Sequence, residues 1–151
     1  MEQNVQLNSE AKLSPHFTLG ELTKSSSHPE IYNIPSHEAI VNLKRICTWL
    51  EELRERAGTH IVINSGYRSP QLNKAIGGVP TSNHLTGCAV DIRVSGIEQL
   101  IIYAATLLII SKAWQQDFDE LLIEKSNHGS IWLHFAVRPS GNRRKVAFLR
   151  A

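Results

Sequence analysis

The chain has 151 residues, 42% of them hydrophobic and 20% charged, a balance that supports one folded domain with a core and excludes a disordered or low-complexity protein. Sixteen Lys and Arg against 14 Asp and Glu leave a formal charge of +2, too small and too dispersed for a nucleic-acid footprint, so no nucleic-acid partner is expected. The partner must be sought in a site.

Residues 1–15 are polar and aperiodic and read as an N-terminal arm, with residues 16–151 as a single domain. The first ten residues carry neither a basic stretch nor an apolar one, so no secretory leader is visible and export would need another route. In Phe17-Thr18-Leu19-Gly20-Glu21-Leu22, Thr18 is placed to cap a helical turn that buries Phe17 and Leu22. Ser25 to Pro35, rich in Ser and Pro, reads as an ordered loop.

From Ser36, a good N-cap after Pro35, apolar residues recur at Ala39, Ile40, Leu43, Ile46, Cys47, Leu50 and Leu53 until Gly58, which predicts an amphipathic helix. Ile61 to Asn64 reads as a short β-branched strand that ends in the turn-rich Ser65-Gly66-Tyr67-Arg68-Ser69-Pro70. A brief helix over 71–76 is broken by Gly77-Gly78-Val79-Pro80. Ala89 to Val94 is a second strand. A helix over about 97–111 comes next, with Leu100, Ile101, Ala104, Leu107 and Leu108 in period. Its most apolar run, Leu100 to Ile110, is interrupted by Tyr103 and Thr106 and is short of the ~20 residues that span a bilayer, so a core helix and no membrane insertion are expected.

Glu120 to Glu124 and Ile131 to Val137 read as strands joined by a Ser126-Asn127-His128-Gly129 turn, a hairpin signal. The order predicts an α+β domain with a small central antiparallel sheet packed on helices. Asp119 and Glu120 read as exposed charges. The two cysteines, Cys47 and Cys88, sit in apolar settings and read as small buried thiols.

The strongest constellation is Ser82-Asn83-His84-Leu85-Thr86-Gly87-Cys88-Ala89-Val90-Asp91, where a His leaves a loop, a Gly allows a turn, and an Asp stands seven residues on at a strand start. A neutral imidazole and a carboxylate suit Zn²⁺, but two ligands leave a tetrahedral site half built. His134, mid-strand beside Trp132 and Phe135, is the best third ligand. Two His and one Asp leave a position open, the mark of a catalytic zinc site, and hydrolysis is the natural reaction. Taken singly, each has a plainer reading: His84 as a loop histidine, Asp91 as a turn residue, His134 as a hydrogen-bonded core residue.

Ser65-Gly66-Tyr67-Arg68-Ser69, Asn73, Gly77-Gly78, the block from Ser82 through His84, Gly87 and Ala89 to Asp91, and Trp132-x-His134 together resemble the zinc D-alanyl-D-alanine carboxypeptidase and murein endopeptidase family, which includes phage endolysin peptidases. The resemblance runs from about Phe17 to about Val137. It implies a hedgehog/D-Ala-D-Ala-peptidase-like fold, one Zn²⁺ per chain and cleavage of peptidoglycan peptides at bonds involving D-amino acids. By position, His84, Asp91 and His134 would hold the metal, and Arg68 would bind and polarise a substrate carbonyl or carboxylate, a role that fits its planar donor fork.

Many members place a general-base Glu three residues before the last His, but here that position is Ile131. The nearest candidate is Glu124, whose segment Phe118 to Glu124 resembles one preceding the last ligand in one branch of the family. Strand alternation can bring Glu124 and His134 to one face of the hairpin, and a carboxylate there can take a proton from water and return it to the leaving amine. His128 is a weaker proton shuttle. Ser82 is a candidate to hydrogen-bond the site or substrate, and Tyr67 and Trp132 to line the cleft. Gly87 would permit the turn between ligands.

The leading reading is a zinc peptidase acting on peptidoglycan stem peptides or crosslinks as a monomer. The substrate implies action in the cell wall or periplasm, and the absence of a visible leader is compatible with a phage lysis enzyme released by a holin, with a tail or prophage protein, or with a leader already removed, so the localisation stays open. The main competitor is a non-catalytic, zinc-stabilised cell-wall or protein binding module that kept the ligands and lost the base. A metal-free interaction domain is a third.

Overall fold

The computed structural model describes residues 8–25 and 27–150. Residues 1–7 of the proposed N-terminal arm lie outside the described residues. The remainder of the arm is structured: β1 (Lys12–Ser14) pairs antiparallel with β2 (Phe17–Thr18) and lies against the first long helix. Thr18 does cap the next turn. Its backbone N–H donates to Glu21 Oε1 at 3.0 Å while Glu21 N–H donates to Thr18 Oγ1 at 3.3 Å, a reciprocal capping box, and Phe17 and Leu22 are buried below it.

α1 (His37–Ala57) starts and stops where its sequence signals stand. Ser36 Oγ accepts from Ala39 N–H, and Gly58 closes the helix in the left-handed conformation at φ 68°, which glycine adopts without steric cost. Ala39, Leu43, Ile46, Cys47, Trp49, Leu50 and Leu53 form its buried face. α2 (Pro70–Ala75) is a short helix capped by Ser69. α3 (Ile97–Trp114) runs three residues beyond its expected end and turns Leu100, Tyr103, Leu107 and Ile110 inward. Its 18 residues have mean hydropathy 1.4, long and apolar enough by length and composition to cross a membrane; here it packs on α1 and β6.

The main sheet has five strands in the order β3-β4-β6-β5-β7: β3 (Ile63–Ser65), β4 (Ala89–Arg93), β5 (Glu120–Lys125), β6 (Ile131–Ala136) and β7 (Lys145–Arg150). The expected β5–β6 hairpin is present, with Glu124 opposite Trp132 and Leu122 opposite His134. The α+β class stands, but the sheet is mixed. β7 pairs parallel with β5, which corrects the all-antiparallel expectation. The reason lies in the loop after β6. β6 ends opposite Glu120, and the chain steps across β5 at that same end, where Arg144 N–H donates to Phe118 O at 2.9 Å and Lys145 N–H to Asp119 O at 2.9 Å. A strand that begins beside the start of β5 can only run with it.

α1 and α3 cover one face of the sheet. Val90, Ile92, Leu121, Leu133 and Phe135 join the helix residues in a single apolar cluster, with Trp49 packed edge-on to Trp114 at 5.1 Å and tilted against Phe135 at 5.4 Å between ring centroids. Both cysteines are buried and free, and burial pushes the Cys47 thiol up to about 12. The opposite face carries the polar residues.

Candidate metal centre

Strand alternation fixes what this polar face presents. Asp91 pairs with His134 across β4–β6, and His134 with Leu122 across β6–β5. Glu120 and Glu124, two residues either side of Leu122, therefore share the face of Asp91 and His134. His84 enters from a one-turn 3₁₀ helix (Asn83–Thr86) just before β4, capped by Ser82, whose Oγ accepts from His84 N–H at 3.1 Å.

Two glycines let the backbone close around this turn. Gly87 ends it at φ 77°, and a Cβ there would stand 2.5 Å from Ala39 O. A Cβ on Gly66 would meet Leu22 O at 2.3 Å. Gly66 comes this close because the next residue, Tyr67, donates its N–H to Leu22 O at 2.8 Å, and from there the Gly66 carbonyl accepts from His84 Nδ1 at 2.6 Å. A carbonyl can only accept, so Nδ1 carries the hydrogen and Nε2 is left with its lone pair.

That lone pair is the most telling atom of the site. His84 Nε2 is buried and has no hydrogen-bond partner among the described residues, an arrangement that costs free energy unless something binds there. It lies 3.3 Å from Asp91 Oδ1, out of hydrogen-bonding alignment, and His134 Nδ1 lies 3.0 Å from the same oxygen. Bonds of ~2.1 Å to a tetrahedral zinc separate its ligands by roughly 3.4 Å, so these spacings fit the edges of such a site. The three ligand atoms all lie within 4.8 Å of one another. Two imidazoles and one carboxylate are a zinc donor set.

The electrostatics agree. Burial alone would raise the Asp91 carboxyl, but the His84 and His134 rings beside it hold it well below the usual carboxylate range. Burial would lower His134, yet hydrogen bonds to Asp91 and Glu120 lift it to about 10. Without a metal this ring is a cation clamped between two carboxylates.

A cleft of about 650 Å³ opens over the three residues. Arg68 lines it, its guanidinium donating to Asp91 Oδ2 at 3.2 Å, Ser65 Oγ at 3.2 Å and Asn73 Oδ1 at 3.4 Å; burial lowers its pKa while Asp91 and Glu124 oppose that. Asn33 braces the segment behind it, donating to Tyr67 O and accepting from Ser69 N–H. Glu124 also faces the cleft. Burial, and then the Asp91 charge, push its carboxyl up, while Trp132 Nε1 donates to its Oε1 at 2.7 Å. Ser82 lines the cleft too.

Other expectations are placed elsewhere. The Tyr67 side chain belongs to the apolar core rather than the cleft wall. His128 sits exposed in the β5–β6 turn. Asp119 and Glu120 are not exposed charges. Asp119 is fully buried and held at about 2, against its burial, by hydrogen bonds from Arg143 and Asn83. Glu120 lines the cleft and accepts from His134 Nε2 at 2.8 Å. Both stand where the β6–β7 crossover closes over β5, a tertiary event that local polarity does not announce.

Two buried imidazoles and a buried carboxylate converge closely enough that they could hold a metal ion. A family model described as peptidase M15 matches residues 15–128, and the chain belongs to that family of zinc D-Ala-D-Ala carboxypeptidase-like peptidases. The match contains His84 and Asp91 and ends before His134, which the sheet register supplies. No curated protein matches the chain.

Proposed function

We propose that the chain is a zinc peptidase that hydrolyses amide bonds involving D-amino acids in peptidoglycan stem peptides or their crosslinks, binding one Zn²⁺ through His84 Nε2, an Asp91 carboxylate oxygen and His134 Nδ1. The observation that carries this reading is the buried His84 Nε2, without a hydrogen-bond partner among the described residues, 3.3 Å from Asp91 Oδ1 and beside His134 on the floor of an open cleft. Zinc held there supplies Lewis acidity, polarising a carbonyl and acidifying water.

The chain's own residues do the rest. Glu124 takes the proton from the attacking water as the new C–O bond forms, and delivers it to the amine nitrogen as the C–N bond breaks. Its Oε1 is occupied by Trp132, which leaves Oε2 for the proton. A raised carboxyl pKa makes it a stronger base. Arg68, fixed by three acceptors, offers donors to the substrate carbonyl or to a terminal carboxylate. Ser82 is a further polar contact at the rim.

Glu124 in the cleft favours hydrolysis over a binding module, despite Ile131 at the more familiar base position. Incubating the zinc-loaded chain with purified peptidoglycan and analysing the soluble products by mass spectrometry tests this. Free D-alanine identifies a carboxypeptidase, and released muropeptide fragments an endopeptidase. Neither product across several wall chemistries, with zinc bound, would move the chain to the binding-module class.

A further inference from the structure

The mechanism leaves one cleft carboxylate unused. Glu120 lies four residues before Glu124 on the same face of β5, yet its surroundings differ. Its Oε1 accepts from His134 Nε2 at 2.8 Å and from Asn83 Nδ2 at 2.9 Å, and its Oε2 from Arg143 Nη2 at 3.1 Å. Three donors occupy the two oxygens. Glu124, by contrast, has one side-chain partner among the described residues, so Glu120 is the carboxylate less free to shuttle a proton to substrate.

An imidazole has two nitrogens with different duties. His134 Nδ1 faces Asp91 Oδ1 and the His84 side of the site, so Nε2 is the nitrogen left over. Facing an ionised carboxylate, Nε2 must carry a hydrogen.

We propose that Glu120 is a positioning residue of the metal centre: by accepting the Nε2–H of His134, it fixes the tautomer and ring orientation that present the Nδ1 lone pair to zinc. Carboxylates that hold a ligating histidine in this way raise its basicity and are worth 10- to 100-fold in metal affinity. The same contact ties the site together. Asn83, next to ligand His84, donates to Glu120 and to Asp119 Oδ2 at 2.8 Å and accepts from Arg138 Nε at 3.0 Å. One side chain thus links the 3₁₀ turn that carries His84 to the strand that braces His134.

The proposal rests on the reading of His84, Asp91 and His134 as zinc ligands, and the test separates the two. Zinc affinity is measured by chelator competition for the native chain and for Glu120→Ala, Glu120→Gln, Glu124→Gln and His84→Ala, with circular dichroism of each metal-free protein as a control on folding. Glu120→Ala should bind zinc about 10- to 100-fold more weakly. Glu120→Gln, whose side-chain carbonyl can still accept from Nε2–H, should recover most of that loss, and Glu124→Gln should match the native affinity. Native affinity in Glu120→Ala, or no recovery in Glu120→Gln, overturns the proposal. If Glu120→Ala does not fold, nitrogen NMR of the native zinc-loaded chain decides: a His134 ring protonated at Nε2 supports the positioning role, and one protonated at Nδ1 overturns it. A native chain that takes up no zinc, or a His84→Ala variant that binds as tightly as native, defeats the ligand reading itself and the proposal with it, and that failure is read without any Glu120 variant.

Discussion

On the helix-facing side of the sheet, Val90, Ile92, Leu121, Leu133 and Phe135 are buried in one apolar cluster, whereas one residue along on the same three strands Asp91, Glu120 and His134 form a polar, ion-paired floor. The two faces have the same backbone and the same register, so their difference is a matter of side-chain alternation alone. One face supplies burial energy. The other buries charge around donor atoms that could take a metal ion, which a protein tolerates only if each charge is paired.

This contrast predicts that changes to the cleft face remove binding and spare the fold, while changes to the core face do the reverse. The largest effect is expected from His84→Ala, which should take bound zinc from one per chain to none and abolish hydrolysis while far-UV circular dichroism stays native; elemental analysis reads it directly. Phe135→Ala should cost about 3–5 kcal/mol of unfolding free energy, measured by urea denaturation of the metal-free chain, with zinc still bound by the folded fraction. A core variant that loses zinc while still folded would break the comparison.

A smaller effect sharpens the cleft side. The metal-free His134 titrates at about 10, above its ordinary 6.5, so at pH 7 it carries a proton that zinc must displace. Calorimetry in buffers of different ionisation enthalpy should show about one proton released from this ring per zinc bound at pH 7, and affinity should rise by up to about tenfold per pH unit until the ring's own titration is passed. The sign for stability is opposite. The ring's ion pairs stabilise the metal-free fold fully below pH 6.5 and lose that contribution as pH climbs through about 10. The smallest effect is expected from Arg56→Ala, which breaks an exposed ion pair to Glu52 one turn away on α1. It should change thermal stability by less than about 0.5 kcal/mol.

Much of this arrangement was legible because it is local. Ser36 and Gly58 mark both ends of α1, the turn at Ser126 to Gly129 marks the hairpin, and His84 with Asp91 lie close enough in sequence for a turn and a strand start to bring them together. His134 needed only one further step, since it pairs directly with Asp91. What escaped depends on contacts between distant segments. β7 is a short run whose partner and direction are set by where the crossover after β6 lands, not by its own residues. Asp119 and Glu120 look like surface charges until Asn83, Arg143 and His134 arrive from three other segments to pair them. Tyr67 comes off a strand into a site-building turn, yet Asn33 and Leu22 hold its backbone so that the ring packs into the core.

The central claim is that zinc and Glu124 act together on a peptide bond. The most direct test pairs zinc content with product release from peptidoglycan for the native chain and for Glu124→Ala. One zinc per chain in both, with product from the native chain alone and turnover reduced by about 10²- to 10⁴-fold in the variant, is the predicted result. Turnover that survives Glu124→Ala at the native rate would contradict it.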